Sequence, residues 1–330
     1  MWAAALLVAA SASDAHARDA ELAVTRTDAS RYPKLRAYVS VLDESGVPMH
    51  HLDTSNFRVF ENGSNQVEPS RAVSTTEAGE GLSVVVVVQG SGTVIPVLDT
   101  VKGSLRTFFG RLAPGDRAAL VLYADTVHVV APLGDPKAAL NAVNEIRSLG
   151  IQKRLFDGVD KGLDLIAGSG LRALIVFGDG GDAGSHADLD SVLREAHRLR
   201  TPIYAIGHKE GGTVDLGVMR DLVRGATGFS GAYLEAPREA DIAGAFTTLR
   251  TQLQSQYLIE WSADAIAADH STYPITVAAK IGTRRLQAQS DITTPLSRDD
   301  VRGLAMAGAL LLLCVTCGLA YWRSRKMARA

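Results

Sequence analysis

VVVVVQGSGT, Val84 to Thr93, is the stretch whose reading decides the fold. Five consecutive valines, Val84 to Val88, run straight into Gln89-Gly90-Ser91-Gly92-Thr93. An unbroken β-branched run is the pattern of a strand buried on both faces. The small polar residues then fall in the loop at the strand's C-terminal end. In open α/β sheets ligands bind at that place.

Outward from this strand, strand-like and helix-like segments alternate from Leu82 onward, which implies a parallel sheet with crossover helices. The predicted strands are Ser83 to Gln89, Arg117 to Ala124, Val127 to Ala131, Ala173 to Gly178, Pro202 to Gly207 and Gly231 to Leu234. The predicted helices are Val97 to Leu112, Pro136 to Leu149, Leu155 to Ala167, Ala187 to Leu199, Asp215 to Arg224 and Arg238 to Gln254. Their apolar spacing fits amphipathic helices lying on a sheet. Val127 follows the previous strand after two residues, so that pair is expected to be antiparallel.

The flanks read as β structure. Leu35 to Leu42 is strand-like, Asp43 to Gly46 is a turn, and Phe57 to Phe60 alternates apolar and polar residues. Asn62-Gly63 then signals a hairpin. Thr75 to Gly81 is a short polar linker. Beyond the last helix, Tyr257 to Trp261, Tyr273 to Ala279 and Arg284 to Gln289 are strand-like again. They are expected to return and complete the N-terminal β unit.

The chain has 330 residues, of which 46% are apolar, enough for two domains with real cores. The net charge is -2, from 34 basic and 36 acidic residues, and no dense basic patch precedes the C-terminus. That balance gives no footprint for nucleic acid. Both cysteines, Cys314 and Cys317, lie in one apolar run, so no disulfide framework holds the rest of the chain. Their plain reading is helix packing rather than metal or redox chemistry.

Gly303 to Trp322 is twenty residues without a charge, the length of a membrane-spanning helix. Tyr321 and Trp322 end it, and RSRKMARA follows with four basic residues and no acid. The positive-inside rule puts that tail in the cytoplasm and the remainder outside. At the other end, Trp2 to Ala10 is apolar, and Ala15-His16-Ala17 resembles a signal-peptide cleavage site. Ala10-Ser11-Ala12 is an alternative, and no basic residue precedes the apolar stretch.

Three motifs in order carry a family resemblance over Leu82 to Gln254: Gln89-Gly90-Ser91-Gly92-Thr93, Lys153-Arg154-Leu155-Phe156-Asp157, and ALIVFGDGGD from Ala173 to Asp182. They resemble the loops of von Willebrand factor A (VWA) domains, whose first metal motif reads Asp-x-Ser-x-Ser. The flank from Tyr38 to Gly63 resembles the small β-sandwich segment that precedes the A domain in a family of bacterial exported proteins. In metal-binding members of the A-domain family, the three loops build a magnesium site from two aspartates, two hydroxyls and a threonine. This chain keeps Ser91, Thr93 and Asp179 at matching positions. Gln89 stands where the first aspartate is expected, and Lys153 where the threonine is expected. Glutamine offers a neutral oxygen, and lysine offers donors only. Lys153 either turns inward to pair with Asp179 or points away into solvent. Asp182 reads as a turn residue and Asp157 as a structural residue of the central helix.

Enzyme signals are poor. There is no GxSxG, HExxH or GxxxxGK[ST] motif, and the eight histidines are scattered. A Ser91–His208 pair rests on nothing beyond a shared sheet edge. The expected fold is α/β: a doubly wound, mostly parallel six-stranded sheet of the VWA/Rossmann-like kind, inserted in a small β-sandwich, plus one C-terminal transmembrane helix. The expected segments are a signal peptide (1–17), sandwich first part (18–80), VWA domain (81–255), sandwich second part (256–297), span (303–322) and tail (323–330). The expected function is a non-enzymatic protein-binding scaffold or assembly factor in the cell inner membrane, mostly periplasmic. Its degenerate site of Gln89, Ser91, Thr93, Lys153 and Asp179 is expected to face an unidentified partner protein, with no metal or other cofactor. Two other readings are a magnesium-dependent adhesion module and a hydrolase using the Ser91 loop.

Overall fold

The computed structural model describes residues 20–166, 170–208, 216–224 and 231–297. The expected signal peptide, transmembrane span and basic tail lie outside the described residues. Among those described, no helix is long and apolar enough to cross a membrane.

The valine run forms β6 (Leu82–Gln89), with every residue buried. It lies between β7 (Arg117–Tyr123) and β9 (Leu171–Gly178), parallel to both. β8 (Val127–Gly134) runs antiparallel beside β7 at one edge. β10 (Ile203–His208) and β11 (Tyr233–Ala236) continue in parallel on the other side. The sheet order is β11-β10-β9-β6-β7-β8. The chain leaves β6 first to β7 on one side, and later fills β9 on the other. The crevice outside the ends of β6 and β9 is therefore the switch point of the sheet.

The valines alternate between two apolar cores, because successive side chains of a strand point to opposite faces. Val84, Val86 and Val88 pack with residues of α1 (Leu98–Gly110), α2 (Pro136–Ala142) and α6 (Glu239–Gln254), including Leu105, Ala139 and Phe246. Val85 and Val87 pack with α3 (Leu155–Leu165), α4 (Leu189–Leu199) and α5 (Gly217–Arg224), through Val159, Val192 and Met219. Each fully buried valine contributes about 1.5–3 kcal/mol relative to exposure. The doubly wound arrangement follows from that two-sided demand.

The expected helix Pro136 to Leu149 is a correction. α2 ends at Ala142, and a 3-10 turn covers Val143–Glu145. The chain then departs to bring Leu149 N to the carbonyl of Gly90, at 3.1 Å. That tertiary bond draws residues 149–153 to the end of β6. The last predicted strand also shifts, from Gly231–Leu234 to Tyr233–Ala236.

Around this unit lie two four-stranded sheets. One has the order β1 (Glu21–Arg31), β2 (Lys34–Leu42), β12 (Tyr257–Ser262), β5 (Arg71–Ser74). The other has β14 (Arg284–Thr293), β13 (Thr272–Ile281), β3 (Phe57–Glu61), β4 (Asn65–Val67). They share one apolar core that includes Val39, Phe57, Trp261 and Val277. Asn62 and Gly63 both have positive φ (49° and 79°), which closes the β3–β4 hairpin as the Asn-Gly pair predicts. β12 follows the A-type sheet in sequence yet lies between β2 and β5, so strands from both flanks interleave. The buried Glu61 carboxylate accepts from Trp261 Nε1 (2.8 Å) and from the backbone N–H groups of Asp264 and Ala265, so its charge is matched by donors.

Candidate functional site

Three loops converge where β6 and β9 end. Gln89, the last residue of β6, is fully buried. Its Oε1 accepts from the backbone N–H of Asp179 (2.9 Å) and from the Tyr123 hydroxyl (3.3 Å). Its Nε2 donates to the Ser91 carbonyl (2.8 Å) and to Asp179 Oδ2 (3.1 Å). A carboxylate at this position is acceptor-only and lacks the two N–H bonds that the amide supplies. Glutamine therefore suits an end in which the neighbour, Asp179, is itself an anion.

Asp179 follows β9 directly and has no exposed surface. Its Oδ1 accepts from Gly181 N (2.9 Å), and Lys153 Nζ stands 2.6 Å from its Oδ2. Lys153 thus turns inward, with its side chain about one-fifth exposed (21%). Two glycines make its path. A Cβ on Gly92, whose φ is +58°, would lie 3.1 Å from Lys153 Cε. A Cβ on Gly181 would lie 2.9 Å from its Cδ. Side chains at either place would crowd the ammonium arm away from Asp179.

The loop that carries Lys153 is fixed from below. The Asp125 carboxylate accepts from the backbone N–H groups of Ile151 (2.9 Å) and Gln152 (2.6 Å). The loop after Asp179 is tied to the start of α3. Asp182 Oδ1 accepts from Phe156 N (3.2 Å) and Ser185 Oγ (2.6 Å). Asp157 accepts from the N–H groups of His186 and Ala187, both at 2.9 Å, and pairs with Arg154. Burial opposes its charge, yet these two N–H donors and the Arg154 guanidinium hold its carboxyl below the usual range. Tyr123 has the opposite sign: burial first, then the charges of Asp179 and Asp182, push its phenol well up.

Ser91 is fully buried, and its Oγ has no hydrogen-bond partner among the described residues. The Thr93 backbone belongs to the 3-10 turn Gly92–Val97. Its side chain lies outside what is described. His208 ends β10, buried, with Nδ1 2.7 Å from the Ala236 carbonyl and its ring stacked on Phe177. The geometry thus joins Gln89, Lys153 and Asp179 directly, with Ser91 beside them.

Magnesium takes hard oxygen donors in octahedral array and gives up its waters reluctantly. Here Asp179 Oδ2 already accepts from two N–H donors, and one of them carries a fixed positive charge. Among the described residues no group of three or more His, Cys, Asp or Glu side chains is placed to hold a metal ion. The donor set present does not fit a divalent cation.

Tyr123, Asp125 and the two glycines lining Lys153 are parts of the site that sequence reasoning missed. Asp125 acts 26 positions away, in a hairpin turn where an aspartate is ordinary. The glycines stood inside the quoted motifs, but their fit to a lysine needed the fold.

Residues 83–241 match the family model of the von Willebrand factor type A domain, and this part of the chain is such a domain. Similar solved structures include the conserved hypothetical protein BatB from Bacteroides thetaiotaomicron, at 14% identity and TM-score 0.42, covering 51% of this chain and 98% of that one. Proximal thread matrix protein 1 from the mussel byssus is similar at 15% identity and TM-score 0.45, covering 56% of this chain and 48% of that one. The PilB minor pilin from Streptococcus sanguinis is similar at 10% identity and TM-score 0.43, covering 72% and 78%. Comparison with curated proteins gives no match.

Proposed function

We propose that this chain is a non-enzymatic protein-binding module, held at the outer face of a bacterial inner membrane, whose A domain works without a bound metal. The observation that carries the reading is Lys153 Nζ at 2.6 Å from Asp179 Oδ2. The ammonium supplies the positive charge at the switch point, tethered to the chain. Binding would then be insensitive to divalent ions. The membrane part of the proposal rests on the charge-free run 303–322 and the basic tail after it. The adhesion-module reading needs a metal that this donor set does not fit. The hydrolase reading needs a reachable nucleophile, and Ser91 is fully buried.

Ile151 gives the test a handle, because it stands two residues from Lys153 and is 84% exposed. A photo-crosslinker at position 151, in the full chain in intact cells, should yield one discrete protein adduct that survives EDTA. The same group at Val47, 53% exposed in the turn after β2, should not yield it. An adduct that disappears in EDTA and returns with magnesium would restore the adhesion reading. Adducts at Val47 alone would move the binding face away from this site. In parallel, millimolar magnesium or manganese should leave the melting temperature unchanged. The double substitution Gln89→Asp with Lys153→Thr should create a metal-dependent rise.

A further inference from the structure

The described chain ends close to where the expected span begins. β14 stops at Thr293, Thr294 N donates to the Ser271 carbonyl (3.0 Å), and Leu296 makes an antiparallel bridge with Asp269. Five residues, 298–302, then separate Ser297 from Gly303, the first residue of the charge-free run. On the membrane reading proposed above, which this inference needs, that length holds the region around Ser297 within about 20 Å of the bilayer.

That region is one tip of the β-sandwich. The loop that holds the exit strand also holds the β1–β2 turn. Ala263 N donates to the Pro33 carbonyl (2.8 Å), and the Tyr32 hydroxyl donates to the Ile266 carbonyl (3.1 Å). Strand register agrees, since Lys34 pairs with Ser262 and Thr272 with Thr293 at this end. The A domain is tied to the same unit. Arg36 of β2 pairs with Glu260 of β12 (2.9 Å) and with Glu80 of the linker (3.0 Å).

Arg31 and Lys34 flank the turn and are exposed, and among the described residues neither side chain is in an ion pair or a hydrogen bond. Carboxylates of the adjoining loop differ. Asp264 accepts from Asn65 Nδ2 (3.0 Å), and Asp269 accepts from Ser271 N (2.9 Å) and the Tyr273 hydroxyl (2.8 Å). The tip thus presents unmet donors, and phosphate oxygens accept from guanidinium and ammonium alike. Leu296, 38% exposed, adds a large apolar side chain close to the charge-free run. Such a side chain suits the boundary between headgroups and acyl chains.

We propose that this tip docks on the phospholipid headgroups of the membrane that the chain enters, with Arg31 and Lys34 on lipid phosphates and Leu296 beneath them. Docking fixes the tilt of the sandwich and, through Arg36 and Glu80, that of the A domain.

The test uses the full chain reconstituted in vesicles of phosphatidylethanolamine and phosphatidylglycerol. A fluorescent amino acid in place of Ala267, exposed in the tip loop, should be quenched by a spin label on the lipid headgroup. The same residue in place of Thr283, exposed in the β13–β14 turn about 30 Å along the sheet, should not be. Arg31→Gln with Lys34→Gln should lower the ratio of docked to undocked chain about thirtyfold, and the quenching at position 267 with it. Both positions are exposed, so the melting temperature should stay unchanged. In a chain that resists extraction by alkaline carbonate, two results overturn the docking and leave the span: quenching at 267 no stronger than at 283, or equally strong in the double variant. Extraction by carbonate overturns the span, and the docking with it.

Discussion

Strand β9 has a charged group at each end, Asp179 just beyond one and Arg172 near the other, and the two are held on different terms. Beyond its C-terminal end, Asp179 is met by Lys153 Nζ, Gln89 Nε2 and Gly181 N–H. At its N-terminal end, Arg172 Nη1 donates to the Leu199 carbonyl (2.8 Å), and burial lowers its guanidinium to about 10. The upper cluster carries its own counter-charge. The lower one is met by a backbone carbonyl. The same domain thus meets a buried anion with a side-chain cation at one end and a half-buried cation with a backbone acceptor at the other.

The harshest way to break the comparison is to remove the strand that both ends rest beside. Val86→Asp places an unpaired carboxylate in the centre of β6, where Val86 has no exposed surface. Destabilisation should exceed about 4 kcal/mol, enough to abolish a cooperative urea transition. A transition close to that of the unmodified chain would mean that β6 is not the buried centre.

A finer cut is made at the upper end. Lys153→Met leaves Asp179 buried without its cation and should cost about 3 kcal/mol, the low end for such pairs because Lys153 is partly exposed. Adding Asp179→Asn should recover most of that loss, since the pair acts as a unit. Urea midpoints of the two single variants and the double check both statements, and additive losses at Lys153 and Asp179 would dissolve the pair.

The smallest effect tests how the upper loops are held. Asp157 has a lowered carboxyl, so the unfolded chain takes up its proton first as pH falls. Its contribution is present at neutral pH and above the ordinary value of about 3.9, and is lost as pH falls through the lower folded value. Asp157→Asn should remove about 1 kcal/mol at pH 7 and flatten the acid side of the stability profile below pH 4. A profile unchanged in slope would show that the N–H groups of His186 and Ala187 do not depend on that charge.

Much of the fold was legible because it depends on local pattern. The valine run requires burial on two faces, and the alternation after Leu82 requires crossover helices. The Asn62-Gly63 turn and the antiparallel β7–β8 pair were readable from dipeptide chemistry and loop length. The end of α2 was not, because the chain turns extended at Ile146 and Leu149 N bonds the distant Gly90 carbonyl, a tertiary contact that helical spacing does not reveal.

By itself, the sequence determined the A-type sheet and the residues at its switch point. It also determined that Gln89 and Lys153 stand in place of an anion and an oxygen donor. Those are properties of residue type and spacing, which exist before folding. Only the tertiary structure decided where Lys153 points, since that depends on Gly92 and Gly181 leaving a path and on Asp125 fixing the loop. Only the tertiary structure paired Arg36 with Glu260, which stand far apart in the chain. Charges far apart in sequence interact only once burial brings them together and removes the water that screens them.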